Sequence, residues 1–153
     1  MSARQSCPHC GCELKSSGKA RSYQQLKRVM ALCRAAYMHW PEHDPFRPRS
    51  ESHLRYFLEK EAGYFQVEKT IRLDGIDSDK LFAILSAVLR TSEDIKQFIE
   101  LDGTLLVVKR VGSIGYEGLG HSEACALFNE IDAVLHARGF SAEKLLSETE
   151  KAA

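Results

Sequence analysis

Charge of one sign, long apolar runs and a paired cysteine framework are all missing from this chain, and each absence removes a class of answer. Lys+Arg and Asp+Glu both number 21, giving a formal net charge of +0, so the chain as a whole is neither polycation nor polyanion. No apolar run approaches the roughly 20 residues that span a bilayer. Residues 1–30 also lack a secretory apolar segment, so a cytoplasmic protein with no membrane attachment is expected. Five cysteines make an odd count, which argues against a closed disulfide framework and for reduced thiols. No nucleophile, base and orienting group stand in a recognisable motif, and no enzyme is expected. Gly112, Gly115, Gly118 and Gly120 fit neither GxGxxG nor a P-loop, and turn chemistry accounts for them.

What is present is an ordinary globular composition. The 153 residues are 44% hydrophobic and 27% charged, enough for a real core. The neutral total conceals an asymmetry. Residues 1–60 hold 11 Lys/Arg against 5 Asp/Glu, and residues 61–153 hold 10 against 16. A basic front half and an acidic back half suit a surface that meets polyanions, or head-to-tail self-association.

The most organised stretch is 22–40. Tyr23, Leu26, Met30, Cys33, Tyr37 and Trp40 recur at alternating steps of three and four, the spacing that puts them on one stripe of a helix. Ser22 can cap its start and Pro41 ends it. Away from the stripe lie Gln24, Lys27, Arg28 and Arg34, with Arg21 just before the cap. A solvated surface is the plainer reading of that face. Nucleic-acid binding is the sharper one, because Lys15, Lys19, Arg47, Arg49 and Arg55 cluster in the same half and aromatics interleave with them. The stripe assigns Tyr23, Tyr37 and Trp40 to the core, which leaves the charges to support loose, salt-sensitive binding.

Cys7-Pro8-His9-Cys10-Gly11-Cys12 contains the CPxCG form of a zinc knuckle. Two cysteines three positions apart can reach one metal, and the glycine permits the tight turn. Cys7, His9, Cys10 and Cys12 are the candidate ligands of a structural Zn2+. No second such pair exists, so a flexible cysteine-bearing tail and redox chemistry remain alternatives. His39 and His43 have an i, i+4 spacing, but Pro41 breaks the helix that a metal pair would need.

Ser50 is expected to cap a helix that Gly63 stops. A strand follows over 64–73, with Phe65, Val67, Ile71 and Leu73 on one buried face. Asp74-Gly75 turns the chain into a helix over 79–90, capped by Asp77 or Ser78, with Leu81, Ile84, Leu85 and Val88 inward. Residues 93–96 read as a short helical connector. Strands over 97–101 and 104–111 flank Asp102-Gly103, a type I′ hairpin signal, and Leu105 to Val108 are dense enough to be buried on both faces. A shift of 43 residues maps this strand–turn–helix pattern onto 113–138, where Cys125, Leu127, Phe128, Ile131, Val134 and Leu135 face inward and Gly139 ends the helix. The expected fold is α+β: a small antiparallel sheet with a central hairpin, two strand–helix units and an N-terminal helical pair packed on it. The expected organisation is a flexible or zinc-knuckle-like segment over 1–20, one domain over 21–140 and a charged tail over 141–153.

Arg21-Ser22-x-x-Gln25-x-Lys27-Arg28, followed by Ala31, resembles the start of the helix in phage NinB (Orf) recombination proteins. Lys109-Arg110-x-x-Ser113-Ile114, leading into the helix 122–138, resembles small prophage proteins. The likeness spans roughly residues 21–138 on short motifs. It implies a phage-encoded accessory protein: an α+β homodimer that binds single-stranded DNA and a host replication or recombination protein. On that likeness Arg21, Gln25, Lys27 and Arg28 are the expected nucleic-acid contacts, and the basic face of the helix adds Arg34. The CPHCGC segment lies outside the NinB pattern. The alternative expectation is a non-enzymatic inhibitor or adaptor, such as a phage anti-defence protein acting on a host complex.

Overall fold

The computed structural model describes residues 7–8, 23–112 and 121–152. Its elements run α1 (Tyr23–Met38), α2 (Glu51–Glu61), β1 (Gln66–Arg72), α3 (Ser78–Thr91), β2 (Gln97–Asp102), β3 (Leu105–Arg110), α4 (His121–Ala137) and α5 (Ala142–Ala152). Helices and one small antiparallel sheet make this an α+β fold, as expected. The chain divides into two compact units. One is helical and falls within Met1–Ala62 and Ser113–Ala153; the other, Gly63–Gly112, carries the sheet.

In the helical unit α1 is the central element and packs against α2, α4 and α5. Val29, Leu32 and Ala36 are fully buried, joined by Leu26, Cys33 and Ala35. The sequence-based stripe is therefore out of phase: Met30 and Tyr37 are each 37% exposed. The buried arc is rotated by roughly 90° from the expected one, at 100° per residue, with Leu26 and Cys33 belonging to both. The physical reason is that α1 is apolar over more than half its circumference. Three helical neighbours select the arc containing the small Ala35 and Ala36, which lets the backbones approach.

The Ser50 hydroxyl caps α2 by accepting from the His53 amide at 3.1 Å, and Gly63 ends it at φ +92°, a value only glycine adopts freely. Leu54, Phe57 and Leu58 face inward, and so does Glu59, which the Arg55 Nε approaches at 3.6 Å. The proline-rich connection 41–50 is fastened to the helices on both sides of it. Trp40 Nε1 donates to the Phe46 carbonyl at 2.9 Å, and Phe46 stacks on Phe57 at 3.8 Å. The Arg138 guanidinium lies over Trp40 and Phe57 and pairs with Asp44 at 3.3 Å. On α4, Cys125, Leu127, Phe128, Ile131 and Leu135 are buried, as their spacing predicts. The terminal charged stretch docks as α5 through Leu145, against α1 and α4.

The sheet has the order β1-β3-β2, all antiparallel. The hairpin expected between β2 and β3 forms one residue later than its sequence signal. Asp102 pairs with Leu105, Gly103 takes φ +61° and among the described residues no non-glycine residue has positive φ. The two turn residues are thus Gly103-Thr104, with glycine first, as a type II′ turn requires. The dense strand β3 is central, yet only Leu106 of its residues is buried.

β1 also departs from expectation: all seven of its residues are exposed. A bulge between Val67 and Lys69 breaks the parity, so Val67 sits opposite Lys109 while Ile71 sits opposite Leu106, on the other face. A bulge on an edge strand is a common guard against further pairing. Asp77 caps α3, accepting from the Lys80 amide at 3.2 Å, but α3 has no buried residue. Its strand contact is β2, which leaves Ile84 and Val88 exposed where inward positions were expected. Residues 93–96 form turns instead of a helix, because the Ser92 hydroxyl and the Asp94 carboxylate accept the amides two residues on, the local bonding that competes with helix. The strand of the second repeat, near 113–116, falls outside the described residues.

Candidate functional site

The outer face of α1 is built by the same phase that fixes its core. With Val29, Leu32 and Ala36 inward, the residues half a turn away must face solvent. These are Lys27 and Arg34, two turns apart on one line, flanked by Met30, Tyr37 and Met38. Met38 is the most open of the three at 59%. No Asp or Glu occurs anywhere in α1, so nothing on this helix offsets its cations. Tyr37 was assigned to the core from the sequence and instead shares the surface with the two charges.

The remaining expected contacts are placed unequally. Gln25 is buried and accepts from Arg28 Nη1 at 3.3 Å, so it positions Arg28 and does not itself face outward. The Arg28 guanidinium lies 4.5 Å from the Phe128 ring centre, at one wall of an open groove of about 410 Å3 whose other polar walls are Asp132, Glu143 and Ser147. Two carboxylates there end the basic surface on that side. Arg34 Nε meets Glu51 at 3.3 Å, with both side chains well exposed. A pair of that kind is worth roughly 0–1 kcal/mol, little enough for a phosphate to replace the carboxylate. Arg55 donates to the Met30 sulfur at 3.0 Å and holds that side chain against the surface. Arg21 lies outside the described residues.

No family model, curated protein or solved structure matches this chain. The resemblance to NinB proteins therefore stands on its short motifs.

Among the described residues no three of His, Cys, Asp and Glu gather as a metal site would need. Cys7 is buried, while His9, Cys10 and Cys12 lie outside the described residues. Burial, reinforced by the negative charge of Glu59, pushes the Cys33 thiol up to about 12, far from a reactive thiolate. Burial, with Arg49 adding to it, holds the His53 imidazole down at about 4. His53 is thus neutral near pH 7, and its Nδ1 accepts from the Arg49 amide at 3.1 Å.

In the sheet unit, Arg110, part of the prophage-like motif, is committed to β1 and to the turn before β2. It binds Asp94 through both terminal nitrogens, at 2.7 and 3.3 Å, and Glu68 through Nε. The Arg110 hydrogen bonds hold both carboxyls below their usual range. Neither this network nor the exposure of Met30 and Tyr37 has a signal in the sequence, since both depend on which neighbours the elements acquire.

Proposed function

We propose that the outer face of α1 binds single-stranded nucleic acid without enzymatic chemistry. The observation that carries this reading is the exposed Tyr37 one turn from Arg34, with Lys27 two turns further along the same face, on a helix with no acidic residue. Cations on one line neutralise successive phosphates, and an aromatic ring among them offers a stacking surface to an unpaired base. Arg28, steadied by Gln25 and Phe128, adds a third cation at the edge of the face. Three phosphate contacts on a single strand correspond to a salt slope of about −2 in log K against log[salt], so binding is weak at physiological ionic strength. An accessory role in phage recombination or replication is the setting that the NinB resemblance implies.

The test is a fluorescence-anisotropy titration with a labelled single-stranded oligonucleotide at two or more salt concentrations. Lys27→Ala with Arg34→Ala should lower the magnitude of the slope by about 1.4. Tyr37→Ala should weaken binding by about 1–3 kcal/mol with the slope unchanged. No binding at low salt removes the reading.

Met30 and Met38 favour a second reading, a protein-binding adaptor, because exposed methionines make adaptable contact surfaces. A pull-down from host lysate after nuclease treatment separates the two. A partner lost with Met38→Glu and kept with Lys27→Ala supports the adaptor.

A further inference from the structure

The groove at the edge of the α1 face combines groups that the line of Lys27 and Arg34 does not have. Arg28, Phe128, Asp132, Glu143 and Leu146 line it, so α1, α4 and α5 each contribute a wall. All three helices belong to the helical unit. Its volume of about 410 Å3 lies within the range of small-molecule clefts, roughly 300–1,000 Å3. Phe128 and Asp132 are one turn apart on α4, which puts the carboxylate on the same side of the helix as the ring. Asp132 is half-buried, and Glu143 stands exposed at the rim.

Arg28 pairs with neither carboxylate of this groove. Its guanidinium lies over the Phe128 ring and gives one N–H to Gln25 at 3.3 Å, which leaves four of its five donors. Among the described residues, Asp132 and Glu143 form no ion pair or side-chain hydrogen bond. The groove thus offers donors on one wall and acceptors on another. A phosphate would satisfy Arg28 but meet two carboxylates, and a lysine would satisfy the carboxylates but meet Arg28. A planar neutral group with donors on one edge and acceptors on another satisfies both. Unpaired nucleobases are such groups, and proteins read them on their Watson–Crick and Hoogsteen edges.

Guanine is the base that matches both walls. Its N1–H and N2 amine are adjacent donors that one carboxylate can accept together, and its O6 and N7 accept from a guanidinium bidentately. Adenine and cytosine offer a carboxylate one amine with a ring acceptor beside it. Thymine offers a single N–H between two carbonyls, which a carboxylate repels.

We propose that this groove takes a guanine base of the bound single strand, with Asp132 accepting from N1–H and N2 and Arg28 donating to O6 and N7. Glu143, at the rim, keeps phosphates out of the space the base enters. The inference rests on the nucleic-acid reading of the α1 face and adds a base preference to it. On a strand without guanine Arg28 serves a phosphate; with guanine it turns to the base, and the magnitude of the salt slope falls by about 0.7.

Fluorescence anisotropy on the full chain at low salt compares labelled strands of equal length: thymine throughout, or thymine with isolated guanines, adenines or inosines. Guanine should tighten binding about 5- to 10-fold over the all-thymine strand, the lower part of what a bidentate contact gives, and adenine should not. Inosine keeps N1–H, O6 and N7 but lacks the N2 amine, and should lose most of the gain. Asp132→Asn should tighten the all-thymine strand, by removing a negative charge, and abolish the advantage of guanine. Glu143→Gln should tighten every strand and keep that advantage. No binding of any strand removes the nucleic-acid reading and the inference with it. Equal binding of all strands leaves that reading standing and overturns the inference, and so does a guanine advantage that survives in Asp132→Asn. No guanine advantage, with Asp132→Asn tightening every strand alike, hands the groove to a cationic side chain of a protein partner.

Discussion

Acidification should weaken the helical unit through one residue, His53. Its ring lies 4.9 Å from that of Phe46 and accepts from the Arg49 amide, in the cluster that fastens the loop 41–50. Burial lowers its folded pKa from 6.5 to about 4. The unfolded chain therefore takes up a proton below about pH 6.5 that the folded chain refuses, and stability falls with pH across the window from 6.5 to 4. At pH 5 the full shift corresponds to about 2 kcal/mol at 1.36 kcal/mol per pKa unit. The ring is only partly shielded, and solvent screening reduces that figure to about 1 kcal/mol.

His53→Asn keeps an acceptor near the Arg49 amide and removes the titration. Urea unfolding followed by Trp40, the one tryptophan in the chain, reports on this unit directly, since the indole contacts Phe46, Phe57 and Phe140. Between pH 7.5 and pH 5 the wild type should lose about 1 kcal/mol more than His53→Asn. Parallel losses in the two proteins would refute the argument that His53 is held neutral by its surroundings.

The phase of α1 is tested by a pair of truncations on adjacent arcs. Leu32→Ala, at a fully buried position, should cost about 2–5 kcal/mol, whereas Met30→Ala, on the surface edge, should cost less than about 1 kcal/mol, both read by urea unfolding. Equal costs would return Met30 to the core. Cys33 should resist alkylation by iodoacetamide in the native protein and label only on unfolding, as peptide mapping would show. Burial and its raised pKa both withhold the thiolate. Labelling under native conditions would contradict its placement.

The parts of the fold legible in the sequence were those fixed by local chemistry. Ser50 and Asp77 cap the helices they precede, Gly63 and Gly139 take the positive φ that ends a helix, and the inward residues of α4 follow their period. Each of these depends on a few neighbouring residues and a backbone rule. The misreadings share a different origin. A period identifies an apolar arc but not its partner, and α1 and α3 both have arcs wider than one contact can cover. In α1 the three packed helices chose the arc with Ala35 and Ala36, which turned Tyr37 outward. In β1 a single bulge sent Val67 and Ile71 to opposite faces, which no count of alternation anticipates.

The same limit explains why the candidate site was only half visible. Lys27, Arg28 and Arg34 could be named from charge alone, but whether they amount to a binding surface depends on what stands among them. Had Tyr37 and Met30 faced the core, the outer line of α1 would hold two cations, Arg34 among them paired to Glu51, and a solvated surface would suffice to explain it. With Tyr37 outward, an aromatic ring remains in water beside charges that no acid on the helix offsets. Burying that ring was open to the fold, since Val29 and Leu32 occupy equivalent positions one arc away. With Tyr37 37% exposed, the hydrophobic stabilisation forgone is about 0.5–1 kcal/mol, roughly a third of that for burying a whole large side chain. Together with Met30 and with Met38 at 59% exposed, that ring is the apolar part of the face on which the proposed nucleic-acid contact rests.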